Sequence, residues 1–102
     1  MDKNTFGKSP ASERLVRILS EEGNKKYVSS VSELVGRFQQ QTKAIMDIKD
    51  TGLRGAVLNE WRFLFIDKVK SYQFPIEIER FTLNVITMVY RKSSREIKGG
   101  GR

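Results

Sequence analysis

The side chains that most often carry out chemistry are missing from this sequence of 102 residues, which contains no histidine and no cysteine. This removes the commonest general base, the commonest metal ligands and the thiol nucleophile. Glu77 and Glu79 lie two residues apart and therefore point to different faces of a helix. Glu60 and Asp67 could share a face, but such positions are solvated in most amphipathic helices. We predict a protein that is not an enzyme and needs no metal or cofactor.

A positively charged pattern without acidic residues is the strongest candidate for a binding site. The sequence has 19 lysines and arginines against 12 acidic residues, a formal net charge of +7. Residues 51–102 hold ten basic and five acidic side chains, so the excess lies toward the C-terminal half. In that half, polar residues recur every three or four positions, at Arg80, Asn84, Thr87, Arg91 and Arg95. Each can donate a hydrogen bond and none is acidic, which suits contact with a phosphate backbone.

A shorter stripe of the same kind follows the second predicted helix, at Arg37, Gln40 and Gln41. Lys43 on that helix could pair with Asp47 instead, because the two residues are four apart. Together the stripes predict contacts with the backbone of RNA or single-stranded DNA, without recognition of sequence. Two interpretations stay open beside this one. The stripes could bind an acidic protein, or they could be solvated faces without a partner, since every amphipathic helix has a polar side.

The aromatic residues could also stack on bases, as in proteins that bind single strands. Trp61, Phe65 and Phe81 recur at the spacing of buried positions, so we assign them to the hydrophobic core. Arg62 borders the apolar face of its helix, where it could reach a partner or extend to water. Four further aromatic residues, at helix ends or flanks, are open to either role: Tyr27, Tyr72, Phe74 and Tyr90.

Two helices are predicted in the first half of the chain. The first begins at Ser9-Pro10, a typical N-cap followed by a first-turn proline, and Gly23 closes the segment in the left-handed conformation. Ser30 and Glu33 form a capping-box pattern that starts the second helix. This helix runs to about residue 49, where Asp50-Thr51-Gly52 breaks it.

Two more helices are predicted in the second half. The third covers residues 54–72, with Leu64 and Ile66 widening its apolar face. It ends at Gln73-Phe74-Pro75, because the residue before a proline disfavours helical angles. The fourth segment, residues 76–94, is rich in β-branched residues that favour a strand. Its length without a turn residue and its apolar spacing favour a helix, and we expect that helix to be the most buried one.

These segments predict an all-α fold, a compact bundle of about four helices with disordered polar termini. One domain covers residues 9–94, between a flexible N-terminal segment, residues 1–8, and a basic glycine-rich tail, residues 95–102. The sequence has neither a signal-peptide pattern nor the roughly 20 consecutive apolar residues that span a bilayer. We therefore expect a cytoplasmic protein that does not insert into membranes.

A short, basic, helical chain with two late aromatic-rich helices resembles the small subunit of the CRISPR RNA-guided interference complexes of the Cascade type. The segments that carry the resemblance are residues 58–65, LNEWRFLF, and 81–91, FTLNVITMVYR, within residues 54–95. In some of those systems the small subunit corresponds to the C-terminal helical part of the large subunit. The resemblance implies several copies packed along a backbone that carries guide RNA. Their basic faces would steady nucleic acid, such as a displaced DNA strand, through Arg80, Asn84, Arg91 and Arg95, with Arg37 secondary.

Two other classes of protein remain open. A bacteriocin immunity protein is also a small, basic helical bundle, and it would use a mobile C-terminal segment to recognise a protein target. A small phage or plasmid regulator would bind DNA as a dimer. The sequence therefore leaves three kinds of partner to be distinguished: larger protein subunits of an assembly, a single protein target, and DNA.

Overall fold

Four α-helices and one short 3-10 helix make up the fold. The computed structural model describes the backbone of residues 6–100 and the side chains of residues 6–96. Helix α1 spans Pro10–Leu19, the 3-10 helix Glu22–Tyr27, α2 Val28–Met46, α3 Thr51–Ser71 and α4 Ile76–Gly100. Within this range no residue belongs to a strand. The predicted all-α bundle of about four helices is confirmed.

Helix α4 is the central element, because it packs against α1, α2 and α3. Its β-branched content does not prevent a helix: the buried hydroxyl of Thr82 donates a hydrogen bond to the carbonyl of Ile78 at 2.7 Å. This bond satisfies a polar group that would otherwise be buried without a partner. The expectation that α4 is the most buried helix is wrong, since α1 buries a larger fraction of its residues. A central helix of this length still leaves one long side in solvent.

Helix α1 begins as predicted and ends differently. The Ser9 hydroxyl accepts a hydrogen bond from the backbone N–H of Ser12 at 3.1 Å, and Pro10 occupies the first turn. The helix stops at Leu19, and Gly23 lies in the 3-10 helix without a positive φ. The predicted left-handed closure at Gly23 is therefore wrong. Side chains take its place, since Asn24 donates to the carbonyl of Ile18 at 2.9 Å and so satisfies a group that a helix end leaves open.

Helix α2 begins two residues before the predicted capping box. Its first residue is Val28, and Ser30 and Glu33 lie inside the helix. The 3-10 helix leads directly into α2, and the backbone N–H of Val28 bonds to the carbonyl of Lys25. The capping-box assignment is wrong because the preceding turn already supplies acceptors for the first N–H groups of α2. Glu33 pairs instead with Arg37, one turn further along.

Helix α3 begins at Asp50-Thr51-Gly52, the segment that was expected only to end the second helix. Asp50 is its N-cap, and the carboxylate accepts a hydrogen bond from the backbone N–H of Leu53 at 2.9 Å. Thr51 and Gly52 form the first turn of the helix. The predicted boundary at Gln73-Phe74-Pro75 is confirmed, with Gln73 at a φ of 53°.

The two candidate caps can be compared by alanine substitution. We expect Asp50→Ala to lower the free energy of unfolding by about 1 kcal/mol, because an N–H of α3 loses its acceptor. Ser30→Ala, the matched control at the predicted capping box, is expected to change it by less than about 0.5 kcal/mol. Urea unfolding of both variants gives the two values. A larger loss for Ser30→Ala than for Asp50→Ala would contradict these helix starts.

Both predicted terminal segments are partly included in the fold. Helix α4 continues beyond residue 94 to Gly100, so the described part of the 95–102 tail is helical. Phe6 is buried, and its carbonyl accepts hydrogen bonds from the Ser12 hydroxyl at 2.9 Å and from the Gln39 amide at 3.2 Å. Phe6 is therefore held against the bundle, within the segment predicted to be flexible. The remaining parts of the two predicted segments, residues 1–5 and 101–102, lie outside the described residues.

Candidate nucleic-acid interface

Five of the residues predicted to contact nucleic acid lie together along the exposed side of α4. We name this set the α4 stripe: Arg80, Asn84, Thr87, Arg91 and Arg95. Thr87 is half-buried and the other four side chains are exposed. Since a helix rises by about 1.5 Å per residue, the stripe is about 22 Å long. The core-facing side of α4, which includes Ile78, Val85 and Ile86, holds the stripe rigidly in place.

The positive charge of the α4 stripe is not neutralised within the part of the chain that the structure describes. Ion pairs there join Lys25 to Glu22 and Arg37 to Glu33, and none involves an arginine of the stripe. Residues 80–95 contain no acidic residue, and the carboxylates of α4 lie outside this stretch. The contact that does occur is weak, a 3.5 Å hydrogen bond from Arg95 Nε to the carbonyl of Arg91. The guanidinium groups are therefore free to contact an anion.

The second predicted set lies on α2, where Arg37, Gln40 and Gln41 are exposed. Arg37 forms an ion pair with Glu33 at 3.0 Å, so the expectation of a stripe free of acidic side chains is wrong for this helix. The pair forms because the two residues are four apart on an exposed helical face. Among the described residues, no hydrogen bond or ion pair connects this set to the α4 stripe, and Lys43 does not pair with Asp47. The structure thus brings together five of the eight predicted residues.

The assignment of three aromatic residues to the core is confirmed. Phe65 is buried, and Trp61 and Phe81 are half-buried against the core. The Trp61 ring stacks on Phe38 with centroids 6.3 Å apart and contacts Phe65 at 5.2 Å. These rings are therefore not free to bind bases.

The four aromatic residues that were left open take different roles. Phe74 is buried and makes an edge contact with Tyr27, with centroids 5.9 Å apart. Tyr72 is exposed and stacks on Phe74 at 5.3 Å. Tyr90 lies on the side of α4 that faces α3, where its ring contacts the guanidinium of Arg62. Only Tyr90 is next to the α4 stripe along the chain.

A cluster that the sequence analysis missed lies between α3 and α4, and we name it the Arg62 cluster: Asn59, Arg62, Phe63 and Tyr90. The guanidinium carbon of Arg62 is 4.6 Å from the ring centroid of Phe63 and 4.2 Å from that of Tyr90. Asn59 Oδ1 lies 3.4 Å from both the Arg62 Nη2 atom and the Tyr90 hydroxyl. The adjacent residues Arg62 and Phe63 were the sequence signal for a cation beside an aromatic ring. The contact with Tyr90 depends on how α3 is oriented against α4, which the sequence does not show.

The outer side of α3 is more apolar than its spacing suggested. Phe63 is 52% exposed and Leu64 is 58% exposed, and Leu53 is exposed near the start of the helix. The expectation that Leu64 widens the buried face is wrong. Apolar residues occur on all sides of α3, so the sequence identified Trp61 and Phe65 as core residues but did not show that Leu64 faces solvent.

Two surface depressions flank the α4 stripe. The smaller one, about 410 Å³, is lined by Met88, Tyr90, Arg91, Ser94 and Arg95. The larger one, about 950 Å³, lies between the N-terminal segment, α2 and the end of α4, and it also contains Arg95. Its charged lining, which the sequence analysis did not assign to a site, combines basic and acidic side chains: Lys8, Lys43, Lys92, Asp47 and Glu96. The smaller depression is thus the more uniformly positive of the two.

The described residues contain no group of three or more acidic side chains arranged to hold a metal ion. None of the helices, over the residues searched, has the length and apolar character required to cross a bilayer. Comparison with known proteins returned no matching family model, no similar curated protein and no similar solved structure.

Proposed function

We propose that this protein is a non-catalytic, cytoplasmic subunit that binds the backbone of nucleic acid without reading its sequence. The observation that carries the proposal is the α4 stripe, which presents three arginines, none in an ion pair with any side chain of residues 6–96, together with Asn84 and Thr87 along about 22 Å of one exposed helix side. Arginine donors suit phosphate oxygens, and neutral donors between them help to fix the position of the strand. The net charge of +7 adds long-range attraction for a polyanion.

The stripe is better suited to following a backbone than to reading bases in a groove. Its charged side chains are distributed along the whole helix, whereas recognition helices use a few residues at one end in a short helix-turn-helix unit. Helices α3 and α4 are both long, and a segment that includes the buried Phe74 joins them. This arrangement supports contacts that depend on charge and spacing.

The test is binding to unrelated oligonucleotides as a function of salt. We expect Arg80→Ala combined with Arg91→Ala to weaken binding to a similar degree on every sequence. The slope of log affinity against log salt should flatten by about one to two units, because each phosphate contact contributes about 0.7 to 0.9. Fluorescence anisotropy across a salt series measures both quantities.

A matched control separates position from total charge. Arg14 and Arg17 are exposed on α1, and replacing both with alanine removes the same net charge from a different helix. This variant should bind nearly as well as the unmodified protein. An α4 double variant with unchanged affinity, or an α1 double variant with an equal loss, would remove the α4 stripe as the binding site.

Membership of a larger ribonucleoprotein assembly, such as a CRISPR interference complex, is the further part of this proposal. The exposed Leu53 and Leu64 support contact with another protein, because these large apolar side chains lie three helical turns apart on the same side of α3. The same residues favour the alternative of a helical protein-interaction module such as a bacteriocin immunity protein. The molar mass from light scattering separates both from a DNA-binding regulator. A dimer would favour the regulator, and a monomer would leave the other two classes open. A gene for a large CRISPR effector subunit beside this one would favour the assembly.

A further inference from the structure

No carboxylate in the described part of the chain pairs with Arg62, the cation of the Arg62 cluster. Among the described residues, the hydrogen bond of the Arg62 guanidinium goes to Asn59 Oδ1 at 3.4 Å, and its Nε is buried without a partner. The rings of Phe63 and Tyr90 provide the main favourable contacts, at 4.6 Å and 4.2 Å from the guanidinium carbon. The side chain is therefore held as a flat, positively charged layer against two aromatic rings.

Phe63 is the exposed member of this cluster. Half of its side chain surface is in contact with solvent, although burying a phenylalanine is normally favourable. The Arg62 guanidinium lies over its ring, and the ring turns much of its remaining surface outward. An aromatic ring with a cation against one face and about half of its surface in solvent can stack with another flat ring.

The cluster is continuous with the α4 stripe. Tyr90 directly precedes Arg91 and follows Thr87 by three residues, so all three lie on neighbouring parts of α4. Tyr90 also lines the depression of about 410 Å³ whose charged residues are Arg91 and Arg95. A strand whose phosphates contact those arginines would pass next to the Arg62 cluster.

We propose that the Arg62 cluster is a base-stacking site, in which an unpaired nucleobase packs on the exposed ring of Phe63 while phosphates contact Arg91 and Arg95. The inference rests on the proposed function, and it adds a substrate class, single-stranded nucleic acid. Bases of a duplex are stacked on one another and cannot lie flat on a side chain, whereas every unpaired base offers a π face. The site therefore distinguishes single strands from duplexes without distinguishing sequences.

The experiment compares Phe63→Ala with the unmodified protein on single-stranded and duplex oligonucleotides of equal length. We expect the variant to bind single strands about 5- to 100-fold more weakly and to bind the duplex unchanged. Its salt slope should stay the same, because no charge is removed. Phe63→Trp should restore binding and Phe63→Leu should not. A strand of abasic sugar-phosphate units should bind both proteins equally.

The outcomes separate this inference from the function on which it rests. If the unmodified protein binds none of the oligonucleotides, the proposed function itself is overturned. Binding that depends on Arg80 and Arg91 but not on Phe63 would overturn the stacking site alone, as would an equal loss on single strands and duplexes. If Phe63→Ala changes the molar mass in light scattering and leaves single-strand binding intact, Phe63 belongs to a protein interface and the inference is wrong.

Discussion

Phe38→Ala is expected to lower the free energy of unfolding by about 3–5 kcal/mol, a large part of the 5–15 kcal/mol that stabilises a typical domain. The Phe38 side chain is completely buried on α2, stacked on Trp61 at 6.3 Å and in contact with Phe65 at 5.1 Å. Removing the ring takes away its buried apolar surface and leaves a cavity at the contact between α2 and α3. Neighbouring helices can collapse into such a cavity only in part.

Urea unfolding followed by far-ultraviolet circular dichroism measures this loss. The fluorescence of Trp61 is less suitable, because the substitution also changes the surroundings of that ring. Phe63→Ala is the matched control, since it removes the same side chain from a half-exposed position where the ring contacts Arg62, and it should lower stability by no more than about 1 kcal/mol. A loss below about 1 kcal/mol for Phe38→Ala would mean that the α2–α3 contact is not packed as described.

Phe6→Ala is expected to lower the free energy of unfolding by about 3 kcal/mol, at the lower end of the range for buried phenylalanines. Phe6 is 3% exposed although it lies near the start of the chain. Gly7, at a φ of 103°, makes the turn that brings this ring onto the bundle. The loss should be smaller than for Phe38, because Phe6 lies outside the helices, in a segment that can move to fill part of the cavity more easily than a helix can.

Unfolding in urea, combined with limited trypsin digestion at Lys8, checks this second prediction. The variant should be cut faster at Lys8 as well as being less stable. Ser12→Ala is a milder companion change, because it removes the 2.9 Å hydrogen bond to the Phe6 carbonyl and the 2.8 Å hydrogen bond with the Ser9 hydroxyl and should cost about 1–2 kcal/mol. A Phe6→Ala variant with normal stability would mean that residues 6–8 are loose in solution, as their composition alone predicts.

The helices themselves were readable from the sequence because their determinants are local. Apolar residues at intervals of three and four predicted α2 and α4, and Pro75 predicted the boundary between α3 and α4. Helix ends were less accurate, since several kinds of group can satisfy the terminal N–H and C=O groups. At the end of α1 the Asn24 side chain, and not a left-handed Gly23, satisfies a terminal carbonyl. At the start of α2 the turn before Val28, and not a capping box at Ser30, supplies the acceptor.

The α4 stripe was predictable for the same local reason. The positions from Arg80 to Arg95 follow one helix, and helical geometry alone places them on one side of it. The pairing of Arg37 with Glu33 was also within reach, because it depends on an interval of four. The predicted α2 set began at Arg37 and so did not include Glu33, one turn before it.

What the sequence determined by itself was the number of helices, the polar side of α4 and the excess of positive charge, because each depends on residue types and on spacing within one segment. Only the tertiary structure decided how far the buried side of α3 extends, and with it the exposure of Leu64 and the meeting of Arg62 with Tyr90. It also decided that Phe6 is part of the core. These features depend on how one element is rotated and placed against another. Such placement follows from the packing of all the helices together and not from the pattern of any single one.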